Sequence, residues 1–470
     1  MKKYLIRALF ILIHVVTLGR LRYSRPTEGN ALTMSLGDKF WWAYKFFGHP
    51  IREPEKDKRI REYFRAHPIA GFAEKPLEPE SSEPPDSPVS QPNNNQPSGS
   101  QPNNNQPSGS QPIDQVTITF AGDILPAQFM RADTTMHFWD DVSEFFLNAD
   151  FRCANLESPV VTSLPLSCPT DDITTPPHMN NTADAVGLFT HEGAGVNVFS
   201  TANNHSLDQG VEGLLATLDF LDQTGLPHVG TARNALERDA FLVLQAGGVK
   251  VAFLSWTFSL NSQSLPEGQE YLANVVRLNV PDIDIDPLVQ QVRQARRQKA
   301  DVVVAFLHWG LEHEAFPLAH QMETAHRIIE AGVDIIAGNH PHAPQPAERY
   351  CYRDATGKQR DGLILYALGD LLTPFPQVGL SALGALVRVQ LIRLPSSQVV
   401  IRAAELKPVF AYRYPGAKKD PVDVRVLDFI TLKQRLEAGD LESDPVLGAP
   451  QVKALRKLIP VQEDVLPVIP

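Results

Sequence analysis

Several short apolar runs in this chain end on residues that can hold a cation or move a proton. "VTITFAG" (116–122) is followed by Asp123, and "FRCANLES" carries Asn155, Leu156 and Glu157. "VNVFST" (196–201) leads into Asn203, Asn204 and His205, with Asp208 three residues on. "DVVVAFLHWG" (301–310) contains His308 with Glu312 beyond it, "VDIIAG" (333–338) runs into Asn339, His340, Pro341 and His342, and "LILYALGD" closes on Asp370. Singly, each has an ordinary explanation: Gly-Asp after a strand is usually a turn, Asn-Leu-Glu a loop or cap, His-Pro-His a surface loop. Together they put carboxylates, an amide oxygen and imidazoles at one end of strand-like segments, where ligands bind in open α/β sheets. Imidazole mixed with carboxylate suits Mn²⁺, Zn²⁺ or Fe, whereas Mg²⁺ and Ca²⁺ prefer oxygen alone.

The candidate metal ligands are therefore Asp123, Glu157, Asn204, His308, His340 and His342, for one or two ions. Two ions about 4 Å apart can share a bridging carboxylate and a hydroxide and clamp an in-line displacement at phosphorus. Asp123 and Glu157 are the carboxylates to hold both in place. His205 is the candidate acid/base imidazole. Asp208 either orients His205 or simply caps the next helix. A serine or cysteine nucleophile has no support, since none lies in a recognisable elbow.

The elements that must position these residues are legible as well. The runs at 116–122, 196–201, 251–256, 301–310, 333–338 and 363–370 are short and mostly β-branched, as suits buried strands. Between them, Asp208 precedes a helical pattern with Leu214, Leu218 and Leu221 on one face. Asp286-Pro287 opens another, with Leu288, Val292 and Ala295 inward, and 318–329 makes a third. Strand–helix–strand alternation predicts an α/β sandwich with largely parallel central strands. After Gly379 the pattern reads as antiparallel edge strands, and the tail as a short helix plus irregular chain.

The net charge of −11 hides an asymmetry: residues 1–75 carry 15 Lys+Arg against 7 Asp+Glu, leaving −19 on the remainder. So acidic a body would repel phosphate backbones, which argues against a nucleic-acid partner. At the N-terminus, Lys2, Lys3 and Arg7 precede an apolar run from Ala8 to Gly19. That run is shorter than the roughly 20 residues of a spanning helix and suits a secretory signal or membrane anchor over 1–25. Residues 26–74 form a basic, aromatic-rich segment in which "FWWAYKFF" (40–47) could touch a membrane surface. From 75 to 112 a Pro/Asn/Ser-rich stretch repeats "SQPNNNQPSG" twice in tandem. It has nothing to bury and reads as a disordered linker. The main domain is expected over 113–415, with a C-terminal extension over 416–470. Cys153, Cys168 and Cys351 show no metal spacing and allow at most one disulfide.

In order along the chain, "FAGDILP", "NLESPV", "STANNHSLDQG", "LHWGLEHE", "AGNHPHAPQP" and "LYALGDLL" resemble the CapA-type poly-γ-glutamate capsule-synthesis proteins, a branch of the calcineurin-like metallophosphoesterases. The resemblance covers roughly 115–376. It implies a four-layer α/β/β/α sandwich of metallophosphoesterase type, here preceded by a non-globular N-terminal segment. It also implies that Asp123 is the first aspartate, Glu157 the bridging carboxylate, Asn204 the amide ligand and His205 the general acid. His308 matches the lone histidine, and His340 and His342 the closing pair. Three departures stand out: Leu125 where the wider superfamily has histidine, as is usual in the CapA branch; Asp370 where CapA proteins generally have asparagine; and His313 in place of a more usual tyrosine. The expected function is a membrane-tethered, extracytoplasmic component of cell-surface polymer synthesis that hydrolyses a phosphoester-type bond with a metal-bound hydroxide. The alternative is a non-catalytic metal- or anion-binding assembly or transport component. Expected partners are an anionic polymer or phosphoester, the membrane, and a polymer synthase.

Overall fold

Two sheets divide the strand-like runs between them. The computed structural model describes residues 58–72, 114–131, 134–168, 178–261, 263–373, 380–414, 423–441 and 449–466. The expected signal at 1–25, the aromatic run at 40–47 and the linker at 75–112 lie outside these residues. Helix α1 (Lys58–Ala66) and a 3-10 turn (Ile69–Phe72) come first. They are followed by β1 (Gln115–Ile124), α2 (Ser143–Phe146), β2 (Phe151–Leu156), α3 (Ala183–Thr190), β3 (Val198–Ser200), α4 (Gly210–Gln223), β4 (His228–Val229) and α5 (Ala235–Ala240). Then come β5 (Leu242–Ala246), β6 (Val249–Thr257), α6 (Asp286–Arg297), β7 (Val302–His308), α7 (Ala319–Glu330), β8 (Ile335–Asn339), β9 (Ala347–Arg353) and β10 (Gln359–Leu365). The chain continues through β11 (Asp370–Leu372), β12 (Leu383–Arg393), β13 (Val399–Tyr414), β14 (Asp423–Asp428), α8 (Phe429–Glu437) and α9 (Ala449–Val465).

The first sheet runs β14-β13-β12-β1-β2-β3-β4, with β11 also on β1; the second runs β5-β6-β7-β8-β10-β9. Central neighbours β1–β4 and β6, β7, β8 and β10 pair in parallel, and β12–β14 form the antiparallel edge expected from the sequence. The sheets face each other across an aromatic layer. Phe120 meets Phe306 with ring centroids 6.2 Å apart, and Phe151 meets Phe253 at 5.6 Å. Outside the first sheet, Phe146, Val186, Phe189 and Leu221 cover Ala121, Ile124, Leu156 and Phe199. Outside the second, α6 buries Leu288, Val292 and Ala295 and α7 buries Ile328 and Ile329. All seven residues of β7 are buried, as a strand covered on both faces requires. This is the four-layer α/β/β/α sandwich.

The run 363–370, expected as one strand, serves both sheets. β10 stops at Leu365, the chain crosses between the sheets, and β11 restarts at Asp370 beside Asp123 of β1. The crossing passes so close to its neighbours that a Cβ on Gly338 would lie 2.0 Å from the Tyr366 carbonyl oxygen, and one on Gly122 1.8 Å from that of Gly369. Backbone at those distances cannot yield, so only glycine fits.

Beyond 415, where a short helix and irregular chain were expected, β14 extends the first sheet, and α8 and α9 bury Phe429, Leu432, Leu455 and Leu458 in the main core. Their apolar residues have sheet surface to cover, which a local reading of the tail does not reveal. Within the segment 26–74, residues 58–72 dock on the body. Phe64 packs edge-on to Tyr366 at 5.6 Å, Tyr63 donates to the buried Glu348 carboxylate, and the Arg349 N–H donates to the His67 carbonyl at 3.1 Å. No helix among the described residues is long and apolar enough to cross a membrane. Among the described residues, no disulfide links Cys153, Cys168 or Cys351.

Candidate metal centre

All six expected ligands sit where the carboxyl ends of the two sheets meet. β1 delivers Asp123, the residue after β2 is Glu157, and the loop after β3 carries Asn204; β7 ends on His308, and the loop after β8 presents His340 and His342. The Glu157 N–H donates to the Ile124 carbonyl at 3.1 Å, which fixes its carboxylate beside the end of β1. From Glu157 Oε1 it is 3.4 Å to His308 Nε2, 3.7 Å to His342 Nε2 and 3.9 Å to His205 Nε2. His308 Nε2 also lies 2.8 Å from Asn204 Oδ1, so the second strand-end loop reaches the lone histidine of the opposite sheet. Glu157, His340 and His342 bring ligand atoms within 4.8 Å of one another, as do Asp123, His342 and Asp370.

The stretch "STANNHSLDQG" divides its polar residues between structure and site. Asn203 holds the loop: its amide donates to the Leu156 carbonyl at 2.7 Å and its oxygen accepts from the His205 N–H at 3.1 Å. Ser206 donates to the Thr201 carbonyl at 2.7 Å. Asn204 and His205 point into the centre. Asp208 does not cap α4, whose cap position is Gln209 with no side-chain cap bond. Its carboxylate instead accepts from the Met179 N–H at 2.9 Å and lies 2.8 Å from His205 Nδ1, leaving Nε2 turned toward Glu157.

Three asparagines and a backbone amide to which the sequence pattern gave no specific role complete the scaffold. Asp123 Oδ1 accepts from Asn155 and Asn339, each at 2.7 Å, and Oδ2 accepts from the His340 N–H at 3.0 Å. Asn261 accepts from the Asn204 amide at 3.1 Å, fixing which end of Asn204 faces His308. Asn155 and Asn339 stand one or two places from candidate ligands, at strand ends; that adjacency is the signal that could have found them. His340 and His342 adopt φ of 99° and 50°. Left-handed backbone in non-glycine residues costs about 1–3 kcal/mol and concentrates at functional sites; here it aims the His340 N–H at Asp123.

Electrostatically the centre is a carboxylate cluster with too little positive charge. Asp123, Glu157 and Asp370 are each at most 1% exposed. Burial drives the Glu157 pKa well above the carboxylate range, and the Asp123 charge pushes it further. Burial also raises Asp123, and brings Asp370 up to about 6, against the pull of His342 in both cases. Burial disfavours a charged His342, but Glu157 and Asp370 outweigh it and hold the ring protonated. His308 is driven the other way, by burial and by its three histidine neighbours, and stays neutral as a ligand must. Among the described residues, neither oxygen of Glu157 has a hydrogen-bond partner. Such a group inside a protein is costly unless something compensates it. A divalent cation among carboxylate, amide oxygen and imidazole donors would supply that compensation, and the residues present fit one.

Among curated proteins, the capsule biosynthesis protein CapA of Bacillus anthracis is 27% identical over 55% of this chain and 60% of its own length. The PGA biosynthesis protein CapA of Bacillus subtilis (strain 168) is 26% identical over 55% of this chain and 63% of its own. The chain thus spans less than two thirds of either relative. Among solved structures, the Haemophilus influenzae NAD nucleotidase is similar over 74% of this chain and 67% of that one, at 11% identity and a TM-score of 0.35. The model of the bacterial capsule synthesis protein family PGA_cap matches residues 117–374, a span that takes in the whole centre from Asp123 to Asp370, and the chain belongs to that family.

Proposed function

We propose that this protein is a metal-dependent hydrolase of the phosphoester type, of the calcineurin-like kind, that acts outside the cytoplasm in assembling an anionic cell-surface polymer. The observation that carries the reading is Glu157: a fully buried carboxylate with no hydrogen-bond partner among the described residues, facing the Nε2 atoms of three imidazoles. Glu157, Asn204, His308 and His340, with Asp123 and His342 beside them, would hold one or two divalent cations. When bound, such a cation supplies Lewis acidity and a nucleophile at neutral pH.

The chain's own residues do the rest. His205 holds a proton at Nε2 for the departing oxygen. Asp208 accepts a hydrogen bond from Nδ1 of the same ring at 2.8 Å and so holds Nε2 turned toward the centre. Asn203 and Ser206 keep the loop from drifting, and Phe258, 4.6 Å from the His340 ring, walls one side with apolar surface. The relatives named for capsule and PGA biosynthesis support a polymer-related role. The basic N-terminus with its apolar run supports attachment to a membrane, with a polymer synthase as neighbour.

A second reading, a non-catalytic binding or assembly component, is favoured by Leu125, which offers no donor atom just past the end of β1. Turnover separates the two. Full-length protein reconstituted with Mn²⁺ is assayed on a panel of phosphoesters and γ-glutamyl polymers, beside Asp123→Asn and His205→Ala. The hydrolase reading expects activity in the parent and a loss of about 10²–10⁴-fold in His205→Ala. Equal activity in the parent and Asp123→Asn would favour the assembly reading. Less than one equivalent of bound metal would remove the basis of the first.

A further inference from the structure

We infer that residues 58–72 are a clamp that holds the N-terminal segment to the body through a receptor built around Glu348, and that the Pro/Asn/Ser-rich stretch 75–112 is not the link that carries the body. Glu348 is fully buried, and three groups from three parts of the chain meet its carboxylate. They are the Tyr63 hydroxyl from α1, the Tyr366 hydroxyl at 2.8 Å from the crossing between the sheets, and His326 Nε2 at 3.0 Å from α7. A carboxylate taken out of water needs such partners, and one of the three is present only when α1 is in place. The same segment inserts two buried aromatic rings. Phe64 lies 5.6 Å from the Tyr366 ring and 6.5 Å from that of Phe316. Phe72 has the Arg349 guanidinium 5.2 Å over its ring, and the Arg349 N–H donates to the His67 carbonyl at 3.1 Å. A helix of nine residues is too short to hold its form alone in water, so α1 owes its helicity to this seat.

The chain on both sides of residues 73–113 is therefore fixed to one body. Before them stands Phe72. After them comes Asp114, whose carbonyl accepts from the Arg393 N–H at 3.0 Å and whose carboxylate accepts from the Arg393 side chain at 2.8 Å. A force between the N-terminal segment and the body passes through Tyr63, Phe64 and Phe72, and a cut inside 75–112 leaves the two pieces joined. Resting on the membrane attachment proposed above, the span between anchor and body is then set by residues 26–57. Lengthening the tandem repeats would not move the metal centre further from the bilayer.

The test needs no membrane, so its failure and that of the attachment reading are distinct. Full-length protein carries an N-terminal affinity tag and a protease recognition sequence in place of the second SQPNNNQPSG repeat (100–109). It is bound to resin through the tag, cut and washed, beside Tyr63→Phe, Phe64→Ala and Arg65→Ala. Once cut, the contact loses the advantage of a linked segment, so retention of the body measures the clamp alone. The expected result is a body that stays on the resin in the parent and in Arg65→Ala, whose side chain is exposed. Phe64→Ala releases it, and Tyr63→Phe, which removes a single oxygen, speeds release by about 10-fold or more. Circular dichroism checks that the bodies are folded, and Tyr63→Phe decides the matter where Phe64→Ala is not. A parent body that washes off at once after cutting would overturn the inference. Retention undiminished in Tyr63→Phe and in folded Phe64→Ala would overturn the assignment to Glu348 and its aromatic neighbours. An untagged copy mixed in before cutting should wash away; its capture would overturn the clamp within one chain in favour of exchange of α1 between copies.

Discussion

Replacing Glu157 by Gln separates the stability of the centre from its binding function. The carboxylate is 0% exposed and neither oxygen has a hydrogen-bond partner among the described residues, so the metal-free fold carries its desolvation cost. For an unsatisfied buried polar group that cost is about 1–3 kcal/mol, and more for a charged one. Gln has the same length and no charge but is itself an unpartnered polar group, so metal-free Glu157→Gln sheds only the excess cost of the charge and is expected to be more stable than the parent by about 1 kcal/mol. At about 2 °C per kcal/mol for a large domain, the unfolding midpoint rises by roughly 2 °C. Cation binding acts in the opposite sense on the pair. At a hundredfold excess over Kd it stabilises the parent by about 2.7 kcal/mol, and the variant should keep little of this because the shared donor is gone. Thermal unfolding of both proteins in chelator and in Mn²⁺ reads the two effects at once. A variant less stable than the parent in chelator, with its Mn²⁺ shift intact, would refute the reasoning: Glu157 would then be a structural residue with compensation the geometry does not reveal.

His308→Ala removes a nitrogen 2.8 Å from Asn204 and 3.4 Å from Glu157, and should weaken Mn²⁺ binding by at least about 100-fold in equilibrium dialysis. Asn155→Ala takes away one of the two amides that hold Asp123 Oδ1; calorimetric titration should show a loss of about 10–100-fold in affinity with the fold retained. Gly122→Ala drives a methyl into the Gly369 carbonyl and should cost on the order of 4 kcal/mol or more, seen as a collapse of the urea midpoint. Phe64→Ala should lower stability by about 3 kcal/mol and open residues 58–72 to protease while leaving the metal count unchanged, since α1 packs on Tyr366 and not on the ligands.

Local pattern determined much of this protein. Period and β-branching located β1, β3, β6, β7 and β8, because a strand buried on both faces has to be apolar throughout. Donor chemistry at the strand ends picked out Asp123, Glu157, Asn204, His308, His340 and His342, because few other reasons place such residues at one end of so many strands. Tertiary structure decided what depends on the second partner in a contact. Of the two roles the sequence left open for Asp208, capping α4 and orienting His205, the fold selects the second, with the remote Met179 N–H donating to the same carboxylate oxygen. Asn155 and Asn339 become braces for Asp123 only because β2 and β8, from different sheets, end on either side of it. The run 363–370 gives no local sign of its crossing between sheets, which depends on the room left by Gly122 and Gly338, far away in sequence. Asp370 follows the same rule: one more Gly-Asp turn in the sequence, it becomes a partner of Asp123 and His342 once β11 pairs with β1. A sequence states which atoms can donate or accept; the distances that turn donors into a centre arise only when strands remote along the chain are set side by side.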